Sequence, residues 1–106
     1  MTLTERAYDF SVRVAECVKF LKADEKHFSL SDKLLDCGLN AGLAARNGKQ
    51  KEAAAFVEQA DYILEMAARS GYLTEIQTKT IRADARKLLE ELHSPRRLSN
   101  MKEEGQ

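Results

Sequence analysis

The chain has 106 residues, 43% of them hydrophobic, and its seventeen basic residues are balanced by seventeen acidic ones. That length fits one domain with a core that needs no staples, and the neutral balance counts against a dedicated nucleic-acid binder, whose phosphate contacts usually leave it clearly basic. No stretch approaches the ~18 uncharged apolar residues of a membrane span, the start MTLTERAYDF holds no apolar signal segment, and two cysteines in such a chain point to reduced thiols in the cytoplasm.

Alanine, leucine, glutamate, lysine and arginine dominate, the composition of an all-helical protein. The first helical pattern runs over about residues 4–23, with Thr4 as N-cap and Ala7, Phe10, Val14, Cys17 and Leu21 as an inward seam at spacings of three and four. The segment DEKHFS breaks it. The second runs over about 29–47, starting near Ser29 or Ser31, with Leu30, Leu34, Cys37, Ala41 and Ala45 inward. Asn47-Gly48 stops it, because both residues tolerate the left-handed conformation. The third covers about 50–70 with Ala53, Phe56, Ala60, Ile63 and Ala67 inward, and Gly71 ends it. Thr74-Glu75-Ile76-Gln77 reads as a capping box opening a fourth helix over about 74–93, which turns Ile81, Ala85, Leu88 and Leu92 inward. Ser94-Pro95 stops that helix. Residues 94–106 are polar, lack periodicity and read as a disordered tail.

Helices of ~20 residues are ~30 Å long, and the short loops between them force antiparallel neighbours. The expected fold is therefore all-α, an antiparallel up-down-up-down four-helix bundle formed by residues 1–93. Cys17 and Cys37 should share one layer of its core.

Three of the helices carry more apolar surface than one core needs. Tyr8, Val12 and Ala15 lie opposite the first seam, Leu35, Leu39 and Leu43 opposite the second, and Ala55, Tyr62 and Met66 form an extra line on the third. A contiguous exposed apolar patch usually marks an interface. The expected interface between copies comprises Tyr8, Val12, Leu35, Leu39, Gly42, Leu43, Tyr62 and Met66. Gly38 and Gly42 stand mid-helix in LLDCGLNAGLAARNG, where each costs about 0.5–1 kcal/mol against alanine. Close approach of neighbouring helices offsets that cost. Phosphate binding would need those glycines in a loop before a helix N-terminus.

No catalytic, cofactor or metal constellation emerges. Glu90 and His93 make one Glu-x-x-His pair, but di-iron bundles use two plus further glutamates, and Asp24 and His27 lie in a turn. Cys17 and Cys37 lack CxxC spacing and an activating base, so they read as structural thiols. Glu58, Asp61 and Glu65 read as a solvated face. Two basic clusters remain, Arg46, Lys49 and Lys51 at the second turn, and Lys79, Arg82 and Arg86 on the fourth helix. Repeated over several copies, either could hold phosphates; interleaved with Glu75 and Glu90, they equally suit a solubilising surface.

The Asp9-Phe10 start of an amphipathic helix, the small-residue helix LLDCGLNAGLAARNG and above all QADYILEMAARSGYLTEIQ, with its Ser70–Thr74 turn, resemble the bacterial "four helix bundle protein" family, first described as 23S rRNA intervening-sequence proteins. The resemblance covers about residues 5–93. It implies a bundle that assembles into a ring, commonly a pentamer, without an established activity. It extends distantly to the accessory variability determinant of diversity-generating retroelements, whose basic ring binds nucleic acid and a reverse transcriptase. The chain departs from the family pattern at Asp36 and Cys37, where the family often has arginine and serine, and at Asn40, Ala44 and Asn47; Arg46 is retained. The resulting expectation is a non-enzymatic, cytoplasmic, homo-oligomeric scaffold or adaptor. It needs no cofactor, small-molecule substrate or membrane. The alternative is a nucleic-acid-binding accessory protein, partner of a retroelement reverse transcriptase, using Arg46, Lys49, Lys51, Lys79, Arg82 and Arg86.

Overall fold

The structure, a computed structural model, describes residues 1–23 and 27–94. The expected tail, apart from Ser94, lies outside the described residues. Four α-helices follow in order: α1 Leu3–Ala23, α2 Ser31–Arg46, α3 Gln50–Arg69 and α4 Glu75–Leu92. No strand occurs among the described residues. Each helix packs on the next and α1 also meets α4, which closes a bundle. Its tightest seams are those of α2 with α1 and α3, and its loosest is that between α1 and α4.

The ends are set by local chemistry. The α1 N-cap is Thr2 rather than Thr4: the Thr2 N–H donates to Glu5 Oε1 at 2.8 Å and the Glu5 N–H to Thr2 Oγ1 at 3.1 Å. This is a capping box, and only Thr2 has a glutamate three residues on to complete it. Hydrogen bonding from Thr2, its backbone N–H above all, also holds the Glu5 carboxyl below its ordinary pKa. Ser31 opens α2 as its first residue; its hydroxyl donates back to the Phe28 carbonyl at 2.8 Å. Both α2 and α3 end on a left-handed glycine, Gly48 at φ 75° and Gly71 at φ 86°. In each, the two following N–H groups return to the last turn. Gly48 bonds Ala45 O and Lys49 bonds Ala44 O; Gly71 bonds Ala68 O and Tyr72 bonds Ala67 O. This is the Schellman arrangement, which satisfies carbonyls a helix end otherwise leaves open. At α4 the expected capping box forms, Thr74 with Gln77.

The core contains Phe10, Val14, Leu21, Leu34, Val57 and Leu64, each almost wholly buried. Three seam positions are less buried than expected: Leu30, just before α2, is half-buried, and two others differ for one shared reason. Between Val14 and Leu21, steps of three and four fit Cys17 and Val18 equally well; Val18 is buried and Cys17 is half-buried. Between Ala53 and Ala60, Phe56 and Val57 compete in the same way, and Val57 takes the buried position. Cys37 is buried as expected, so the two thiols differ in depth.

The mid-helix glycines are explained by α1. A Cβ added at Gly38 would lie 2.7 Å from Val14 Cγ1 and 2.8 Å from Val14 Cβ, inside any real carbon contact. One added at Gly42 would fall on Ser11 Oγ. That hydroxyl donates to the Gly38 carbonyl at 2.6 Å. The two glycines therefore admit a valine and an interhelical hydrogen bond that side chains would exclude.

One buried side chain is poorly satisfied. Gln50, at the start of α3, is 4% exposed. Neither of its carboxamide atoms has a hydrogen-bond partner among the described residues. A buried, unmade hydrogen bond costs about 1–3 kcal/mol, so Gln50→Met is expected to raise stability toward chemical denaturation by roughly 1–2 kcal/mol. A lower midpoint for that variant would mean the carboxamide has a partner.

Candidate interaction surface

The outer line of α2 begins the site. Leu35, Leu39 and Leu43 recur every four residues and Arg46 follows three later, so helical periodicity puts all four on one side. Leu39 is 52% exposed and Leu43 44%. Alongside runs the outer line of α1, where Tyr8 is 57% exposed and Val12 38%. The Ser11–Gly38 hydrogen bond fixes the register of the two helices. The Arg46 guanidinium lies 5.9 Å from the Tyr8 ring centroid, joining the two lines at one end. Tyr8, Val12, Leu35, Leu39 and Leu43 thus form one apolar tract over the α1–α2 seam, with the half-buried Gly42 at its base.

Tyr62 and Met66 belong to a second tract. They line a shallow groove of about 540 Å³ between α2 and α3, together with Leu30, Lys33, Ala55, Glu58, Gln59 and Ile63. Asp36 and Asn40 lie on the α2 side between the two tracts, by the same periodicity. The sequence suggested one surface, and the fold divides it into two flanking α2. The difference arises because Tyr62 and Met66 project from α3, which packs on α2 on the flank away from the leucine line. Exposed Phe20 and Ile76 lie outside both tracts.

The basic clusters fare unequally. Arg82 is held by carboxylates on α3: Nε donates to Asp61 Oδ1 at 2.8 Å and Nη2 to Asp61 Oδ2 at 3.3 Å, with Glu65 Oε1 at 3.5 Å from Nη2. Hydrogen bonding to Asp61 pushes the Arg82 pKa further up. Asp61 and Arg82 are both half-buried, so Asp61 belongs to an inter-helix ion pair rather than a solvated face. No spacing rule within one helix could reveal it, since the partners are on different helices. Lys79 and Arg86 flank it and are exposed, as are Arg46, Lys49 and Lys51 around the α2–α3 turn.

The remaining candidates do not converge. His93 Nε2 lies 3.7 Å from Glu58 Oε2 at the surface. Glu90 and His27 are exposed, and Asp24 lies outside the described residues. Among the described residues no three histidine, cysteine or acidic side chains are placed to hold a metal. Burial pushes both thiols above their ordinary pKa, which keeps them protonated and weakly nucleophilic near neutrality. Cys37 Sγ lies 3.3 Å from Gln59 Oε1, a weak donor contact. A cavity of about 160 Å³ between α1 and α4 is bordered by the ion pairs Arg6–Glu91 at 2.9 Å and Arg13–Asp84 at 3.2 Å. No helix among the described residues is long and apolar enough to cross a membrane.

No protein-family model matches the chain, and no curated protein does. Among solved structures it is similar to a protein of unknown function from the S23 ribosomal protein family, from Bacteroides thetaiotaomicron, with a TM-score of 0.81. The two share a fold. The match covers 86% of this chain and 94% of the S23-family protein, at 24% sequence identity. At that identity the likeness speaks to the fold alone, so it supports the four-helix architecture expected from the sequence.

Proposed function

We propose that this protein is a non-enzymatic scaffold or adaptor that works as a homo-oligomer. The observation that carries the reading is the apolar tract over α1 and α2, which lies outside a core already filled by other residues. Burying it would remove from water the exposed part, roughly half, of several large side chains, each worth about 1 kcal/mol. The second tract, between α2 and α3, suits a head-to-tail contact in which one copy's leucine line meets the next copy's groove. Such contacts close into rings when the rotation permits, and the family resemblance makes a pentamer the favoured number. The proposed setting is a bacterial cytoplasm.

Amine cross-linking of micromolar protein tests this. It should give a ladder at multiples of the 12.0 kDa chain. A single band at the chain mass, under conditions that cross-link a known oligomer, counts against the reading.

A nucleic-acid-binding accessory role, beside a reverse transcriptase, is the second reading. It is favoured by the exposure of Arg46, Lys49 and Lys51 at one turn, and weakened by the engagement of Arg82 with Asp61. It requires RNA or DNA binding that falls steeply with salt.

A further inference from the structure

Asn47 and Gly48 form an exposed Asn-Gly step at the end of α2. Glycine carries no Cβ to shield its backbone nitrogen. In an unrestrained chain that nitrogen can therefore reach the carbonyl carbon of the preceding asparagine side chain. We propose that Asn47 is a site of spontaneous deamidation, closed by the native α2–α3 turn and reactive only in molecules where that turn has opened.

The chemistry needs water alone. A bond forms between Gly48 N and Asn47 Cγ, and the bond from Cγ to the side-chain nitrogen breaks. Ammonia leaves, carrying away the proton from the Gly48 nitrogen. Water then opens the five-membered imide at one of its two carbonyls. Attack at one gives aspartate; attack at the other gives isoaspartate, in which the main chain runs through the former side chain.

The native turn blocks the first step in two ways. Asn47 has ψ 9°, which turns the Gly48 nitrogen toward Asn47's own nitrogen and away from its Cβ branch. The ring cannot close from there without a large rotation about ψ. That rotation is opposed by the Gly48 N–H bond to Ala45 O at 3.1 Å and the Lys49 N–H bond to Ala44 O at 2.8 Å, both of which must break. Exposure of the side chain is thus not enough; the turn must unlock.

The product would persist in altering the turn. A carboxylate at position 47 sits at the negative end of the α2 dipole, where anions are disfavoured. It also lies among Arg46, Lys49 and Lys51 and lowers the net charge of that basic cluster. Isoaspartate adds a carbon to the main chain inside the Schellman turn, so the two return hydrogen bonds no longer fall into register.

The test is peptide mapping by mass spectrometry that separates asparagine, aspartate and isoaspartate. The full-length chain is incubated in mildly alkaline buffer, with and without urea sufficient to unfold it. In urea, Asn47 should react well ahead of Asn40 and Asn100, which precede Ala41 and Met101 rather than glycine. In native buffer its rate should fall at least ~10-fold, the factor reporting how rarely the turn opens. Equal rates with and without urea would overturn the gating. A rate in urea no greater than that of Asn40 would overturn the site itself.

Discussion

Gly38→Ala is expected to destabilise the protein by about 1–2 kcal/mol, even though alanine is the better helix former by about 1 kcal/mol. The sign follows from distance. The new methyl group would meet Val14 at 2.7–2.8 Å, and one of the atoms it meets is Val14 Cβ, which cannot swing aside. Val14 is fully buried, so α1 and α2 would have to separate along a tight seam. Separation would also stretch the Ser11 bond to the Gly38 carbonyl. Chemical denaturation of Gly38→Ala, Val14→Ala and the double variant resolves the mechanism. Val14→Ala alone leaves a cavity; in the double variant the contact with Val14 Cγ1 is gone, while the one with the retained Cβ at 2.8 Å remains. The double variant should therefore recover only part of the clash, with a coupling of about 1 kcal/mol. A Gly38→Ala protein more stable than the parent would mean that helix propensity, not packing against Val14, governs this position.

Leu39→Glu should leave the fold intact and disperse the proposed assembly. Leu39 is 52% exposed within one chain, where a polar replacement costs little, about 0.5 kcal/mol or less. Between subunits the same carboxylate would be desolvated among Leu35, Leu43 and the apolar groups of another copy. An unpaired charge in such a place costs several kcal/mol, and every ~1.4 kcal/mol is tenfold in affinity. Association should weaken by at least ~100-fold. Helical circular dichroism should be retained, and any dependence of the melting temperature on protein concentration should disappear. Ile76→Glu is the matched control, since Ile76 is more exposed still but outside both tracts. Equal dispersal by both variants would mean that added charge, not the α1–α2 tract, is responsible.

Much of the fold could be read from the residues because independent local signals agree. Asn47-Gly48 and Gly71 supplied the left-handed ends that α2 and α3 use, and Thr74 to Gln77 supplied the α4 cap. Where two neighbours met the helical period equally, as with Cys17 and Val18 or Phe56 and Val57, spacing alone could not choose. Packing in three dimensions decided in favour of valine both times. The Thr2–Glu5 cap is legible as Thr-x-x-Glu, but Thr4 lies nearer the start of the apolar pattern and meets the N-cap preference equally well. The outward leucines of α2 could be found from a second stripe on a helix that already had an inward one. Their separation from Tyr62 and Met66 could not, because it depends on how α2 and α3 are rotated against each other. The Asp61–Arg82 pair was hidden for a related reason, since it joins residues of different helices.

The proposed role requires that other copies of the chain cover the α1–α2 tract. Size-exclusion chromatography coupled to light scattering measures this directly on the unmodified full-length protein at micromolar concentration. A mass several times 12.0 kDa is expected. A mass of 12.0 kDa, unchanged on concentration, would contradict it.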